Sequence, residues 1–424
     1  MLYMDKLSVD GGKPLHGYVK ISGAKNAVLP VMAAALLADG EYRVDNVPLL
    51  KDVRTMSKLL ESIGVRVQFD DHTLRLTSES CSHLEAPYDL VKTMRASIYV
   101  LGPLLARFGY ARVSMPGGCA WGPRPVNLHI SGLRKMGADI AIENGYIIAQ
   151  AEKLSGAHIS LDVPSVGATG NILMAACLAE GTTVIENAAK EPEIESLALF
   201  LNTMGARIEG AGTKTLEIQG VSKLKPADCS IIPDRIEAAT FMVAAHMTGG
   251  DITLENIEPG HVSAVIDKLE ESGANVDVNG ACVRVHSNGT VLPVNITTAV
   301  HPGFPTDMQA QWMSLMSICT GSAVITDTIF HDRFTHVAEL RRLGADITLD
   351  NNVAVVRGVS NLSGAPVMST DLRASACLIL AALVARGTTS VSRVYHIDRG
   401  YEKIEEKLNR LGARITRERE PLVT

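Results

Sequence analysis

The chain has 424 residues, 46% hydrophobic and 20% charged, which is too long for one ordinary core and too apolar for disorder. Forty basic against forty-six acidic side chains give a net charge of −6, and no basic stretch is available to neutralise a nucleic-acid backbone. The longest apolar run, 27–38, is about half a bilayer span; it follows Lys25–Asn26 without a small-residue cleavage site, so neither membrane anchor nor signal peptide is indicated.

In chain order, DKLSVDGG (5–12) is a predicted strand with no partner nearby, and YVKIS (18–22) is a short strand opening a first unit. The alanine-rich segment KNAVLPVMAAALLADG follows. It is apolar nearly all round, the pattern of a buried helix, and its glycine is the expected left-handed stop. An alternating strand (GEYRVDN), an amphipathic helix (DVRTMSKLLESIG) and two strands joined by a turn close the unit. The same order returns with apolar helices RASIYVLGPLLARFG, GNILMAACLAEG, EAATFMVAAHMTGG, QAQWMSLMSICTG and ASACLILAALVARG. Strands HISLDV (158–163) and CSII (229–232) open later copies, and ADITLDNNVAVVRG closes one through an Asp350–Asn351 turn.

Two glycine signatures keep the period. Gly64, Gly137, Gly205, Gly273, Gly344 and Gly412 end the amphipathic helices; Gly40, Gly109, Gly181, Gly250, Gly321 and Gly387 start the middle strands. The repeat of about seventy residues is too long for a solenoid unit, which runs ~20–45. An α/β fold of six βαβαββ units, three per domain, is expected. The sixth copy lacks a last hairpin strand after LGARITRE, and DKLSVDGG resembles the missing piece (compare TLEIQG). One domain is therefore expected at 24–231 and the other from 1–23 plus 232–424. The two crossings, near Ser22–Gly23 and Ile232–Pro233, would form a hinge suited to closure over a ligand.

One copy breaks step. Met115 to Gly137 spans 22 residues where the other copies use 17 to 19, and the excess falls in MPGGCAWGPRPVNLH. A long Gly- and Pro-rich loop on a regular scaffold is the place for binding residues. Cys119 sits in it, with Arg124 five residues on to favour thiolate; its position favours function over an idle surface thiol. Cys177, Cys319 and Cys377 fall in apolar helices, and Cys81, Cys229 and Cys282 in or near strands; all six are expected to be structural. With no CxxC pair, neither a disulfide framework nor a metal site is indicated, and a reduced cytoplasmic compartment fits.

The starts of the apolar helices carry a second constellation: SGAKNA, KTMRAS, PSVGATGN, PDRIEAAT, FPTDMQAQ and STDLRAS. Three helix N-termini per domain at one face, with Lys25 and Arg95 among them, suit phosphate or carboxylate ligands. Asp234, Asp307 and Asp371 have the ordinary use of N-caps, yet one of them is well placed as a base against a bound hydroxyl. Spacing does not say which. The last copy adds Arg393, His396 and Arg399 at the loop position equivalent to the cysteine insertion.

With PGGC…GPRPVNLH, PSVGAT, PDRIE, HPGFPTDMQAQ, DLRASA and YHIDRGYE, the chain resembles the UDP-N-acetylglucosamine 1-carboxyvinyltransferase family over essentially its whole length. The resemblance implies an inside-out α/β barrel in two domains. It also implies transfer of the enolpyruvyl group of phosphoenolpyruvate to the 3′-hydroxyl of UDP-N-acetylglucosamine, with release of phosphate and no metal or organic cofactor. This step opens peptidoglycan precursor synthesis. Cys119 matches the loop thiol that protonates the enol methylene, can form a pyruvyl adduct and is alkylated by fosfomycin. Lys25, Asn26, Arg124 and Arg399 match the phosphoenolpyruvate contacts, and Asp307 the carboxylate that takes the sugar hydroxyl's proton. Asn26, Arg95, Arg124, Pro125, Val126, Asn127, Leu128, Ser165, Val166, Gly167, Asp307, Ile329 and Phe330 match sugar-nucleotide contacts. Arg333 and Asp371 match neighbouring support, with Arg373 and Arg393 weaker matches.

Two positions depart from the family pattern: Asn127 stands where Asp is common, and Val163 where some members carry Lys. Both bear on nucleotide recognition, not on the chemistry. The rival activities are a 5-enolpyruvylshikimate-3-phosphate synthase, against which the cysteine loop and PSVGAT argue, and an inactive sugar-nucleotide binder. The sequence leaves oligomeric state open.

Overall fold

The structure, a computed structural model, describes residues 3–79, 81–115 and 126–421. Contacts divide the chain into two units, Gly23–Ile232 and Met1–Ser22 with Pro233–Thr424. Each has its own hydrophobic core.

The unit 23–232 carries three four-stranded sheets. In each, a short strand enters parallel to a middle strand, and the other two follow antiparallel. Cys229–Ser230 enters beside Gly40–Asp45, Glu85–Ala86 beside Tyr110–Ser114, and His158–Ser160 beside Thr182–Glu186. Alternation sets which face is inside. In Thr215–Gln219, Leu216 and Ile218 are buried while Thr215, Glu217 and Gln219 are exposed. The apolar helices fill the interior: Ala27 to Ala34 are all buried in Lys25–Ala34, and Ala168 to Ala176 in Val166–Ala176. Burying each Val, Leu or Ile side chain contributes about 1.5–3 kcal/mol, which is why these helices need no polar face.

The second unit repeats the plan. Ile296–Thr297 enters beside Ser322–Thr326, and Pro366–Met368 beside Thr388–Ser392. In the sheet of the last copy, Tyr3–Asp10 lies between Thr388–Ser392 and Arg414–Pro421, antiparallel to both. It occupies the place the hairpin strand takes in the other sheets. The entry strands of the first and fourth copies are exchanged. His16–Lys20 precedes the first helix but pairs with Asp251–Glu255 of the fourth copy, and Cys229–Ser230 precedes the fourth helix but pairs with the first copy's Gly40–Asp45.

The apolar helices do not all end as the glycines suggest. Leu101–Phe108 and Arg235–Thr248 stop on left-handed Gly109 and Gly249. The first helix instead tightens into a 3-10 turn, Ala35–Leu37, short of Gly40, and the helices Val166–Ala176, Gln309–Met316 and Leu372–Val384 give out before their glycines. The second apolar helix begins as a 3-10 turn, Arg95–Val100. Pro103 lacks the N–H that an uninterrupted helix would direct at residue 99. No helix among the described residues is long and apolar enough to cross a membrane.

Candidate active site

In the unit formed by 1–22 and 233–424, the candidates Arg333 and Arg373 converge on Asp307. The sequence FPTDMQ turns through a 3-10 turn, Thr306–Met308, before the helix Gln309–Met316, which puts Asp307 ahead of the helix and not in its cap. Its Oδ1 lies 2.7 Å from Arg333 Nη2, and its Oδ2 accepts from Arg373 Nη2 at 2.6 Å. Both arginine side chains are 6% exposed and the carboxylate 26%. Burial by itself raises the Asp307 pKa, but the Arg373 and Arg333 guanidiniums outweigh it and hold the carboxyl well below the usual range.

The other two helix-start aspartates do cap. Asp234 Oδ1 accepts from the N–H groups of Ile236 and Glu237 at 2.9 and 3.0 Å. Asp371 Oδ1 accepts from those of Arg373 and Ala374 at 2.8 and 3.1 Å. Asp371 thus fixes the first turn of the helix that carries Arg373. Arg373 Nη1 also donates to the Tyr401 hydroxyl at 3.4 Å, which shares a 2.8 Å hydrogen bond with Thr240 Oγ1. Burial raises the Tyr401 pKa, so this phenol stays protonated.

Arg399 closes the 3-10 turn Val394–Arg399, entered through Arg393 in a left-handed conformation. Its neighbour Asp398 is held by both terminal nitrogens of Arg417 at 3.0 and 2.7 Å, while Arg417 Nε donates to Glu405 at 2.7 Å. The backbone N–H groups of Ile329 and Phe330 are committed to Asp327 Oδ1 at 2.9 Å each, and the Arg333 guanidinium lies 5.5 Å from the Phe330 ring centre. Those two N–H groups are therefore already occupied within the protein.

In the unit 23–232, Lys25 is the first residue of its helix, half-buried Asn26 the second, and Lys25 Nζ lies 3.0 Å from the buried Asp52 Oδ2. Ser165 caps the helix Val166–Ala176, its Oγ accepting from Ala168 N–H at 3.2 Å. His129, buried on the helix Asn127–Lys135, links this start to Arg95. Burial first, and then the nearby Arg95 charge, push the His129 pKa down to about 4. Its Nδ1 faces the Asn171 amide nitrogen at 3.0 Å, so Nδ1 accepts and the proton sits on Nε2. A Cβ on Gly167 would fall 3.2 Å from that Nε2, so glycine leaves the imidazole room. Val126 and Leu128 are buried among core side chains, whereas Asn127 and Val163 are exposed.

Cys119, Arg124 and Pro125 lie outside the described residues. The six described cysteines are unbridged, and burial pushes the thiols of Cys177, Cys229 and Cys377 up to about 12. Among the described residues, no three His, Cys, Asp or Glu side chains cluster as metal ligands. Sequence inspection missed Asp52, Tyr401, Thr306, Asp327 and Arg417. Their roles come from partners distant in sequence, and only Asp327 has a sequence signal of its own.

Residues 9–408 match the family model of EPSP synthase (3-phosphoshikimate 1-carboxyvinyltransferase). The UDP-N-acetylglucosamine 1-carboxyvinyltransferase of Desulfosudis oleivorans is 56% identical over 98% of this chain and 99% of its own length. That of Chloroherpeton thalassium is 57% identical over 98% and 97%. Among solved structures, the enolpyruvyl transferase NikO from Streptomyces tendae superposes with a TM-score of 0.89 at 28% identity, covering 99% of this chain and 100% of that one. An EPSP synthase from Acinetobacter baumannii gives 0.75 at 20% identity over 98% and 100%, a likeness of fold alone.

Proposed function

Since the chain belongs to the EPSP synthase family, and within it to the UDP-N-acetylglucosamine 1-carboxyvinyltransferases, we propose that it transfers the enolpyruvyl group of phosphoenolpyruvate to the 3′-hydroxyl of UDP-N-acetylglucosamine and releases phosphate. The observation that carries this is identity above one half along nearly the full length of chains bearing that name.

The sugar 3′-oxygen bonds to C2 of phosphoenolpyruvate while Cys119 gives a proton to C3, forming a tetrahedral ketal. Loss of a C3 proton then re-forms the double bond and expels phosphate. Lys25, Arg124 and Arg399 hold the phosphate and carboxylate and stabilise the charge that develops. Asp307 takes the hydroxyl proton. Held by two guanidiniums it is a weak base, so it accepts the proton as the C–O bond forms, when the alcohol becomes acidic. Arg95, Ser165 and the Ile329–Phe330 segment serve the sugar nucleotide.

The reaction opens peptidoglycan precursor synthesis in the cytoplasm, and so serves cell-wall biogenesis, cell shape and division. Fosfomycin is the expected covalent inhibitor, at Cys119. The competing acceptor is shikimate 3-phosphate, named through the family model. Phosphate release from phosphoenolpyruvate, measured with each acceptor in turn, separates the two. Turnover with UDP-N-acetylglucosamine is expected, and turnover with shikimate 3-phosphate alone overturns the proposal.

A further inference from the structure

Six residues after each middle-strand glycine stands a landmark position, occupied by Asn46, Met115, Asn187, Asn256, Asp327 and Arg393. The three asparagines do one job. Each is left-handed, and its side-chain amide donates to a backbone carbonyl just past the entry strand: Asn46 to Ile231 at 2.7 Å, Asn187 to Leu161 and Asn256 to Ile21 at 2.8 Å. In the fifth copy both partners change. Thr298 replaces the apolar residue, Asp327 replaces Asn, and Asp327 has no left-handed φ. The hydrogen bond reverses, with Thr298 Oγ1 donating to Asp327 Oδ1 at 2.8 Å.

Asp327 is fully buried, and a buried carboxylate is tolerated only where donors replace its water. Its Oδ1 also takes the N–H groups of Ile329 and Phe330 at 2.9 Å, and its Oδ2 the Thr306 hydroxyl at 2.8 Å. With its proton committed there, Thr306 Oγ1 accepts from Arg333 Nη1 at 3.0 Å, and Arg333 Nη2 reaches Asp307 Oδ1 at 2.7 Å. One carboxylate thus shapes the Ile329–Phe330 segment through one oxygen and orients the Asp307 clamp through the other.

We infer that Asp327 is a positioning residue that ties the sugar-nucleotide segment 329–330 to the proton-accepting Asp307 through Thr306 and Arg333. The inference rests on the proposed transferase reading and deepens it: the group that shapes the acceptor's seat also aims the base. Asn at this position would turn an acceptor toward Thr306 into a donor or leave an N–H facing donors, so either orientation breaks the relay.

The test compares Asp327→Asn, Thr306→Val and Thr306→Ser with the wild-type chain by phosphate release, alongside circular dichroism and melting. Asp327→Asn is expected to raise KM for UDP-N-acetylglucosamine and lower kcat by about tenfold each, with KM for phosphoenolpyruvate within about twofold, as for losing hydrogen bonds to a charged group. Thr306→Val is expected to lower kcat by about tenfold while leaving the sugar-nucleotide KM nearly unchanged, and Thr306→Ser, which keeps the hydroxyl, to restore it. A folded Asp327→Asn variant with both parameters within about twofold of wild type overturns the inference. Equal kcat for Thr306→Val and Thr306→Ser overturns it whether or not Asp327→Asn folds. A wild-type chain inert toward UDP-N-acetylglucosamine removes the transferase reading and the inference together, whereas an active wild type with unaffected variants removes the inference alone.

Discussion

Arg373 Nη2 stands 2.6 Å from Asp307 Oδ2 while Asp371, two residues before that arginine, caps its helix. The aspartate that caps and the aspartate that faces Arg373 are thus different residues, although both stand at helix starts. The carboxylate of Asp307 meets two buried guanidiniums, which drive its pKa well down.

Asp307→Asn is expected to abolish phosphate release and to lower unfolding free energy at pH 7 by about 3 kcal/mol or more, because two buried arginines lose their counter-charge. The folded pKa lies below the unfolded one, so the stabilisation is complete above the ordinary carboxylate range and is lost as pH falls through the depressed folded value. Urea unfolding of both proteins from pH 7 downward checks this. A difference that vanishes already near pH 4.5, or no difference at pH 7, would show that the ion pairs do not hold Asp307.

His129 should remain neutral until about pH 4, since burial and then Arg95 depress its pKa from 6.5. The unfolded chain binds that proton first, so stability is full above about 6.5 and falls as pH drops from there toward 4, by an amount on the order of 3 kcal/mol. An NMR titration of the histidine ring signals checks the value. A His129 midpoint near 6.5 would contradict the buried, Asn171-bonded ring.

Arg417→Leu leaves Asp398 and Glu405 without their shared guanidinium. The turn ending at Arg399 then loses its anchor, and KM for phosphoenolpyruvate is expected to rise about fivefold or more, with KM for the sugar nucleotide little changed. Steady-state kinetics with each substrate varied decide it; equal effects on both KM values would point to general loosening instead.

Cys119→Ala is expected to stop turnover with a melting temperature within about 2 °C of wild type, because a loop thiol contributes little packing. Fosfomycin should label Cys119 and no other cysteine. Burial keeps Cys177, Cys229 and Cys377 as thiols, their pKa pushed up to about 12, and a thiol is a poor nucleophile. Peptide mass spectrometry that finds the label on any of these three would count against the assignment.

Much of the fold was legible because a repeat states its architecture six times. Glycines such as Gly64 and Gly205, both left-handed, mark the same bend in successive copies, and the apolar helices announce burial by having no polar face. The site was legible only in part. Asp234, Asp307 and Asp371 look alike in sequence, and what separates them is the pair Arg333 and Arg373, brought to Asp307 by packing. Four of the six apolar helices end before their glycines, whereas Gly109 and Gly249 do stop theirs. Asp327 did leave a trace, the loss of asparagine where three copies keep it, but the meaning of that trace depends on Thr298 and Thr306.

The placement of Tyr3–Asp10 between Thr388–Ser392 and Arg414–Pro421 has a consequence for biosynthesis. The unit 23–232 is contiguous and has its last sheet strand once residue 230 has emerged. The other unit contains residues made before 23–232, yet it cannot close its sheet until 414–421 leave the ribosome. The strand Tyr3–Asp10 must wait with unpaired edges until 388–392 and 414–421 have been made, the condition in which chains are most exposed to aggregation. Vectorial synthesis therefore imposes an order, inserted unit first and enclosing unit last.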